Sequence, residues 1–389
     1  MRIYLDHNAG SPMRPAVHDA IARVGASVHG NPASIHRSGQ RARRALEQAR
    51  EQVAGLLGAS SRGIVFTSGG TEANNLGIFG TAQAATATRK RIVTSAIEHS
   101  SVMAPLAELE GRGFTVTRVA PNRDGQIDPA AVASAISDDV ALVTLGLVNA
   151  EVGTIQEVAA IAQASSRAAA IFHLDAAQAL GRIAVRVADL GCDLMTVSAH
   201  KIGGPAGIGA LYVRPGVNLA PQMLGGPQES GLRAGTPNLV GAIGFGVAAE
   251  GVASAIDDEC ARIKMLANAL LTHLTRTIPG LRLNGPRHGR VANTLNLTFP
   301  GVLGESLLIA LDLEGVEVSM GSACAAGAVE PSHVLTAMGR RPAEARSSLR
   351  ISLGWSTTPK EIAHAAEIIT RVWRRVASAE PARAIEAAV

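Results

Sequence analysis

The sequence predicts an α/β fold: a mostly parallel sheet covered by helices on both faces, followed by a smaller α+β unit. Three observations carry that expectation. Short apolar runs alternate with helix-period stretches from residue 63 to residue 199, the pattern of strands buried on both faces. After Pro237 the alternation stops and a long helical stretch takes over. Polar, chemistry-bearing residues fall just after the apolar runs, at the strand ends where open parallel sheets carry their ligands.

Taken in order, 34–57 reads as a helix because Ala42, Ala45, Leu46, Ala49, Val53, Leu56 and Leu57 share one face. "GIVFTS" is a strand, "TEANNLGIFGTAQ" a helix, "RIVTSA" a strand, "SSVMAPLAELEGRG" a helix and "FTVTRVA" a strand. "DPAAVASAI" is a short helix before the strand "VALVTLGLV". A helix from about Glu157 and the strands "AIFHLDA" and "LMTVSA" follow. The helix beyond Pro237 runs to about Ile278 and leads to "VANTLNLTF", the helix "GESLLIALDLEG", "VEVSM", "SSLRISLG" and a last helix from Pro359.

Bulk properties narrow the function. The chain has 389 residues, 47% hydrophobic and 17% charged, as expected of a soluble globular protein of two domains. Its basic residues are scattered, and the densest run, "RSGQRARRALEQAR", reads as an amphipathic helix, so nucleic acid is not an expected partner. The N-terminus "MRIYLDHNAG" lacks the apolar segment of a secretory signal. The apolar window "PNLVGAIGFGVAAEGVASAI" is interrupted by Glu250 and by glycines, so it reads as a buried helix and no membrane is expected. Cys192, Cys260 and Cys324 make neither a paired framework nor a metal spacing; a reducing cytoplasm and no metal are expected.

Lysine is rare: Lys90, Lys201, Lys264 and Lys360 are the only four among 36 basic residues. Arginine cannot serve as a nucleophilic amine, whereas a lysine with a lowered pKa can. Lys201 stands in "VSAHKIGGPAGIGALYV", at the end of a strand and before a glycine-rich bend. An imine-forming lysine points to a carbonyl cofactor, of which pyridoxal phosphate is the obvious one. That cofactor needs an amine, a carboxylate for its ring nitrogen, a phosphate cradle at a helix start, and a flat group against the ring. "TSGGTEANN" offers the cradle, with Gly70 and Thr71 where orphan N–H groups favour an anion. "HLDAAQ" offers Asp175 and Gln178, and "EHS" offers His99. No dinucleotide or P-loop glycine fingerprint is present.

These stretches, with "YLDHNAGSP", "GNPASIHRSG", "IVFTSGGTEANNLG", "NAEVGT", "RAGTPN", "GSACAAG" and "EPSHVL", resemble the cysteine desulfurases of the NifS/IscS type, in the class V aminotransferase family. The resemblance spans nearly the whole chain in the family's order. It implies the pyridoxal-phosphate-dependent transferase fold type I, with a seven-stranded, mostly parallel sheet in a large domain (15–255). A small domain (1–14 and 256–389) would carry the reactive cysteine. It further implies that Lys201 holds the cofactor as a Schiff base, that Asp175 pairs with its pyridine nitrogen and that Gln178 reaches its phenolic oxygen. His99 would stack on the ring and move protons, while Gly70, Thr71, Ser198 and His200 would hold the phosphate. Thr236 resembles a threonine donated across a homodimer interface, and Arg350 the clamp for the substrate carboxylate. Cys324 would take sulfur from L-cysteine, leave alanine, and pass a persulfide to an acceptor or scaffold protein.

Two departures stand out. The family's usual pair of asparagines is Asn149 and Ala150 here, and its Glu-Arg-Gly is Glu229, Ser230, Gly231; Gly10 and Ser11 also replace the usual threonines. Asn149 is kept as the candidate substrate-facing amide, although neighbours on an extended segment point to opposite faces. Two other readings stay open on the sequence: a related enzyme of the class with another outcome (transamination, selenocysteine or C–S lysis), and a scaffold protein that keeps the cofactor but has lost catalysis.

Overall fold

A computed structural model describes residues 2–321 and 330–379. The elements run β1 (Ile3–Tyr4), α1 (Pro15–Ser27), α2 (Arg37–Leu57), β2 (Ile64–Thr67), α3 (Gly70–Ala84), β3 (Arg91–Ser95), α4 (Ser100–Gly111) and β4 (Thr115–Val119). Next come α5 (Pro129–Ser134), β5 (Val140–Gly146), α6 (Ala159–Arg167), β6 (Ile171–Asp175), α7 (Val187–Leu190), β7 (Leu194–Ser198) and β8 (Gly209–Val213). The rest is α8 (Leu239–Thr277), β9 (Arg282–Asn284), β10 (Thr294–Thr298), α9 (Gly304–Leu313), β11 (Val316–Glu317), α10 (His333–Ala337), α11 (Pro342–Arg346), β12 (Ser348–Ser352) and α12 (Pro359–Ala379).

Seven strands form the main sheet in the order β2-β8-β7-β6-β5-β3-β4. Every pairing is parallel except the two made by β8. The near-continuous apolar strands follow from this arrangement, since β2, β7 and β8 are buried at every residue. The return strand β8 begins at Gly209, where a Cβ would lie 2.7 Å from the backbone of Gly69. Glycine there lets the turn that opens α3 lie against the sheet. The bend after Lys201 uses Gly203 at φ +79, a conformation that side-chain-bearing residues avoid.

Four apolar clusters form among the described residues, two of them large. One gathers Phe66, Val143, Phe172, Val197 and Phe245 around the main sheet. The other joins Ile3, Leu5, Leu295, Phe299, Leu307, Ile351 and Ile369 around the antiparallel β12-β10-β9 sheet. Helix α8 is 39 residues long and serves both, with Ala242, Phe245 and Val252 in the first and Ile263, Leu270 and Leu274 in the second. It is long and apolar enough by composition to cross a membrane, and the buried part of its apolar surface packs into the two cores, while Val240 and Met265 stay exposed.

The predicted elements appear with their ends moved by a few residues, and "VEVSM" shortens to Val316–Glu317. Beyond Glu317 the chain leaves the short β1–β11 sheet, and Ser319 bridges to Arg350 instead. The sequence reading missed β1, which exists only through its parallel pairing with β11 more than 300 residues away.

Candidate active site

At the carboxyl ends of the parallel strands a cavity of about 520 Å³ opens. Gly70 and Thr71 at the start of α3, His99 after β3, Asn149 after β5, Asp175 and Gln178 after β6, and Ser198, His200 and Lys201 after β7 all line it. Arg350, from β12 in the other core, lines it as well. Of the predicted site residues, Thr236 alone is described yet lies outside the wall, exposed on the segment before α8. Cys324 lies outside the described residues.

The Lys201 amine donates to the carbonyls of Asn8 and Ala9, the latter at 3.0 Å. Burial, helped by the charges of Arg182 and Arg350, pushes it down to about 8. An appreciable fraction is therefore uncharged and nucleophilic near neutral pH. Asp175 closes β6, where Oδ1 accepts from the Ala177 N–H at 2.9 Å and Oδ2 from Asn74 Nδ2 at 2.7 Å.

His99 caps α4, with Nδ1 accepting from the Ser101 N–H at 3.1 Å. The Ser101 hydroxyl lies 2.8 Å from the same nitrogen and accepts from Asn74 Nδ2 at 2.8 Å. An Nδ1 that already accepts a backbone N–H takes the hydroxyl's hydrogen too, so the neutral ring carries its proton on Nε2. Burial lowers the His99 pKa; the charge of Asp175 opposes this and nearby cations add to it, and the net shift favours that neutral form. Asn74 thus spends both amide hydrogens tying His99, through Ser101, to Asp175. His200, hydrogen-bonded through Nδ1 to Ser198 Oγ at 2.9 Å, is pushed down to about 4 by burial and by Lys201.

Two buried carboxyl groups complete the wall. Glu98 accepts from the Gly146 N–H at 2.7 Å and from the Ser95 hydroxyl. Burial pushes it up to about 7, with the charge of Asp175 adding to the shift. Glu151 is raised by burial too and accepts from the Ser332 hydroxyl. Gly321, at φ +101, sits so close that a Cβ would lie 2.6 Å from Glu151 Oε2.

Asn149 reaches the cavity wall, but its amide is committed elsewhere. Nδ2 donates to Ile97 O at 3.1 Å, and Oδ1 accepts from the N–H groups of Glu151 (2.9 Å) and Val152 (3.1 Å). Asn8, Asn74 and His333 are wall residues to which the sequence reading gave no role. Asn74 lies three residues after Thr71, one helical turn along, a spacing that marks the cavity face of α3. Nothing local marks Asn8, which arrives through long-range pairing of the N-terminal segment.

The donor set suits pyridoxal phosphate. A buried amine of lowered pKa, a hydrogen-bonded carboxylate, a neutral imidazole, and a helix start flanked by Ser198 and His200 share one cavity. The model of the class V aminotransferases matches residues 3–364, and the chain belongs to that family. Over 379 residues it is 41% identical to the cysteine desulfurase IscS of Dictyoglomus turgidum, a match covering 97% of this chain and 96% of that protein. Among solved structures it resembles a NifS-like protein with a TM-score of 0.91 at 32% identity, over 96% of this chain and all of the other. It also resembles SspA in complex with cysteine, with a TM-score of 0.81 at 34% identity, covering 90% and 99% of the two chains.

Proposed function

We propose that this chain is a pyridoxal-phosphate-dependent cysteine desulfurase that moves the sulfur of L-cysteine onto Cys324 and releases alanine. The observation that carries the reading is Lys201: a buried amine held near 8 in the same cavity as Asp175 and His99. Relatives called cysteine desulfurases, matching along nearly the whole chain, support it.

Lys201 would hold the cofactor's aldehyde carbon, Asp175 its ring nitrogen, and Gly70, Thr71, Ser198 and His200 its phosphate. When bound, the cofactor withdraws electrons from the substrate's Cα and Cβ. Arg350 fixes the substrate carboxylate, and Lys201 and His99 take and return the proton at Cα. The Cys324 thiolate attacks the substrate sulfur; the C–S bond breaks, its electron pair goes to Cβ, and protonation there gives alanine. An S–S bond forms at Cys324, so sulfur leaves the enzyme only when an acceptor thiol or scaffold protein attacks the persulfide. A homodimer bringing Thr236 to a partner's cavity, a cytoplasmic location and a role in iron–sulfur or thio-cofactor supply belong to the same proposal.

The test is an absorbance spectrum of the purified protein before and after cysteine, with alanine and persulfide measured alongside. A visible cofactor band, alanine release and persulfide lost in Cys324→Ser are expected. A colourless protein that takes up no pyridoxal phosphate, or a Cys324→Ser variant that still forms persulfide, overturns the reading.

A further inference from the structure

We propose that Asp6 is a positioning residue that aims the guanidinium of Arg350 at the substrate carboxylate. The inference rests on the assignment of Arg350 as the carboxylate site and adds a residue that acts through it.

Arg350 is 4% exposed, and each hydrogen on its guanidinium needs an accountable partner. Of its five N–H groups, Nη1 donates to Gly321 O at 3.1 Å and, weakly, to Ala150 O at 3.4 Å. Nη2 donates to Asp6 Oδ1 at 2.8 Å. Nε is buried and has no partner, and Nη2 makes no second bond among the described residues. The two unspent hydrogens belong to Nε and Nη2, which are neighbours on one edge of the fork. A carboxylate takes two parallel N–H bonds from such an edge.

A fork–fork pair would use both Asp6 oxygens on that edge. Instead Asp6 contributes one oxygen to Nη2, neutralises the buried cation, and leaves Nε and one Nη2 hydrogen without a partner among the described residues. Its backbone is held to the strand that carries Arg350: residue 6 bridges to Ser352, the His7 N–H donates to Ser352 O at 3.2 Å, and the Ser352 N–H donates to Leu5 O at 2.8 Å. Asp6 and Arg350 therefore move as one piece. Two residues on, the same segment supplies the Asn8 carbonyl that accepts from Gln178 at 3.0 Å and from Lys201. One short stretch thus sets both the amine and the carboxylate clamp, fixing the distance between the two groups that must grip the same amino acid.

The experiment uses the cofactor-loaded enzyme and two carbonyl reagents that share an aminooxy nucleophile, aminooxyacetate and O-methylhydroxylamine. Only the first has a carboxylate, and the loss of the visible cofactor band reports the rate of each. Asp6→Ala should slow aminooxyacetate by about tenfold, within the range that a 1 Å misplacement costs, and leave O-methylhydroxylamine unchanged. Asp6→Asn keeps an acceptor oxygen and should restore most of the rate. With cysteine, KM rises in Asp6→Ala while kcat holds. If Asp6→Ala does not fold, Asp6→Glu carries the test, because its extra methylene displaces the oxygen and should slow the acid reagent selectively. A wild-type preference for the acid reagent that survives in these variants overturns the role of Asp6 alone. A wild type with no cofactor band, or one that does not distinguish the two reagents, overturns the underlying assignment as well.

Discussion

Replacing Glu98 with glutamine should make the protein more stable at alkaline pH and leave it nearly unchanged in acid. Glu98 is 5% exposed, and burial raises its carboxyl from 4.5 to about 7. Between those values the folded chain binds a proton that the unfolded chain has released. Folding stability therefore falls as pH rises from about 4.5 to about 7, and the loss is complete above that. At 1.36 kcal/mol per pKa unit, the loss amounts to about 3 kcal/mol. Glutamine mimics the protonated acid: its oxygen can accept from the Gly146 N–H while its amide donates to Ser95 Oγ, the two contacts that Glu98 makes. Urea unfolding of both proteins across pH 5 to 8.5 is the assay. The variant's advantage should open through the window and reach about 3 kcal/mol at the alkaline end. A difference between the two proteins that stays constant with pH refutes the reasoning.

Further outcomes can be measured independently. Arg50 pairs bidentately with Glu229 at 2.6 and 2.8 Å, and Glu229 also accepts from the edge-strand N–H of Phe66 at 2.8 Å. Arg50→Ala strands a side chain that is 3% exposed and should cost about 3–5 kcal/mol in urea unfolding; a shift below about 1 kcal/mol counts against it. In cofactor-free protein the rate of pyridoxal phosphate uptake should climb with pH and level off above about 8, as the Lys201 amine loses its proton. A profile flat from pH 6.5 to 9 contradicts that. Gly321→Ala sets a methyl group against Glu151 at a positive φ and should lower alanine formation severalfold while the cofactor band persists; unaltered turnover rejects the close fit.

The sequence was most informative where structure is local. Strand ends are marked by an apolar run giving way to polar residues, so His99, Asp175, Ser198 and Lys201 could be placed on one rim from spacing alone. The antiparallel return of β8 is not visible that way, because a strand's direction is set by where its partner lies. Asn149 shows the limit at the level of one side chain: its type suggested substrate contact, whereas the turn at 149–152 uses its amide for the backbone. Asp6 and Asn8 were least legible, since their partners Arg350, Lys201 and Thr294 lie roughly 190 to 340 positions away. Burial of Glu98, which turns an ordinary acid into one that titrates near neutrality, likewise exists only after the sheet has closed.

Helix α8 runs unbroken from one apolar core into the other, a beam of 39 residues and roughly 58 Å at 1.5 Å per residue. Melting either end removes a wall of one core and loosens the helix that continues into the other, so the two halves are expected to depend on each other. On heating, the protein should then lose both halves in one calorimetric peak, and a fragment cut within the beam should fail to fold from either side.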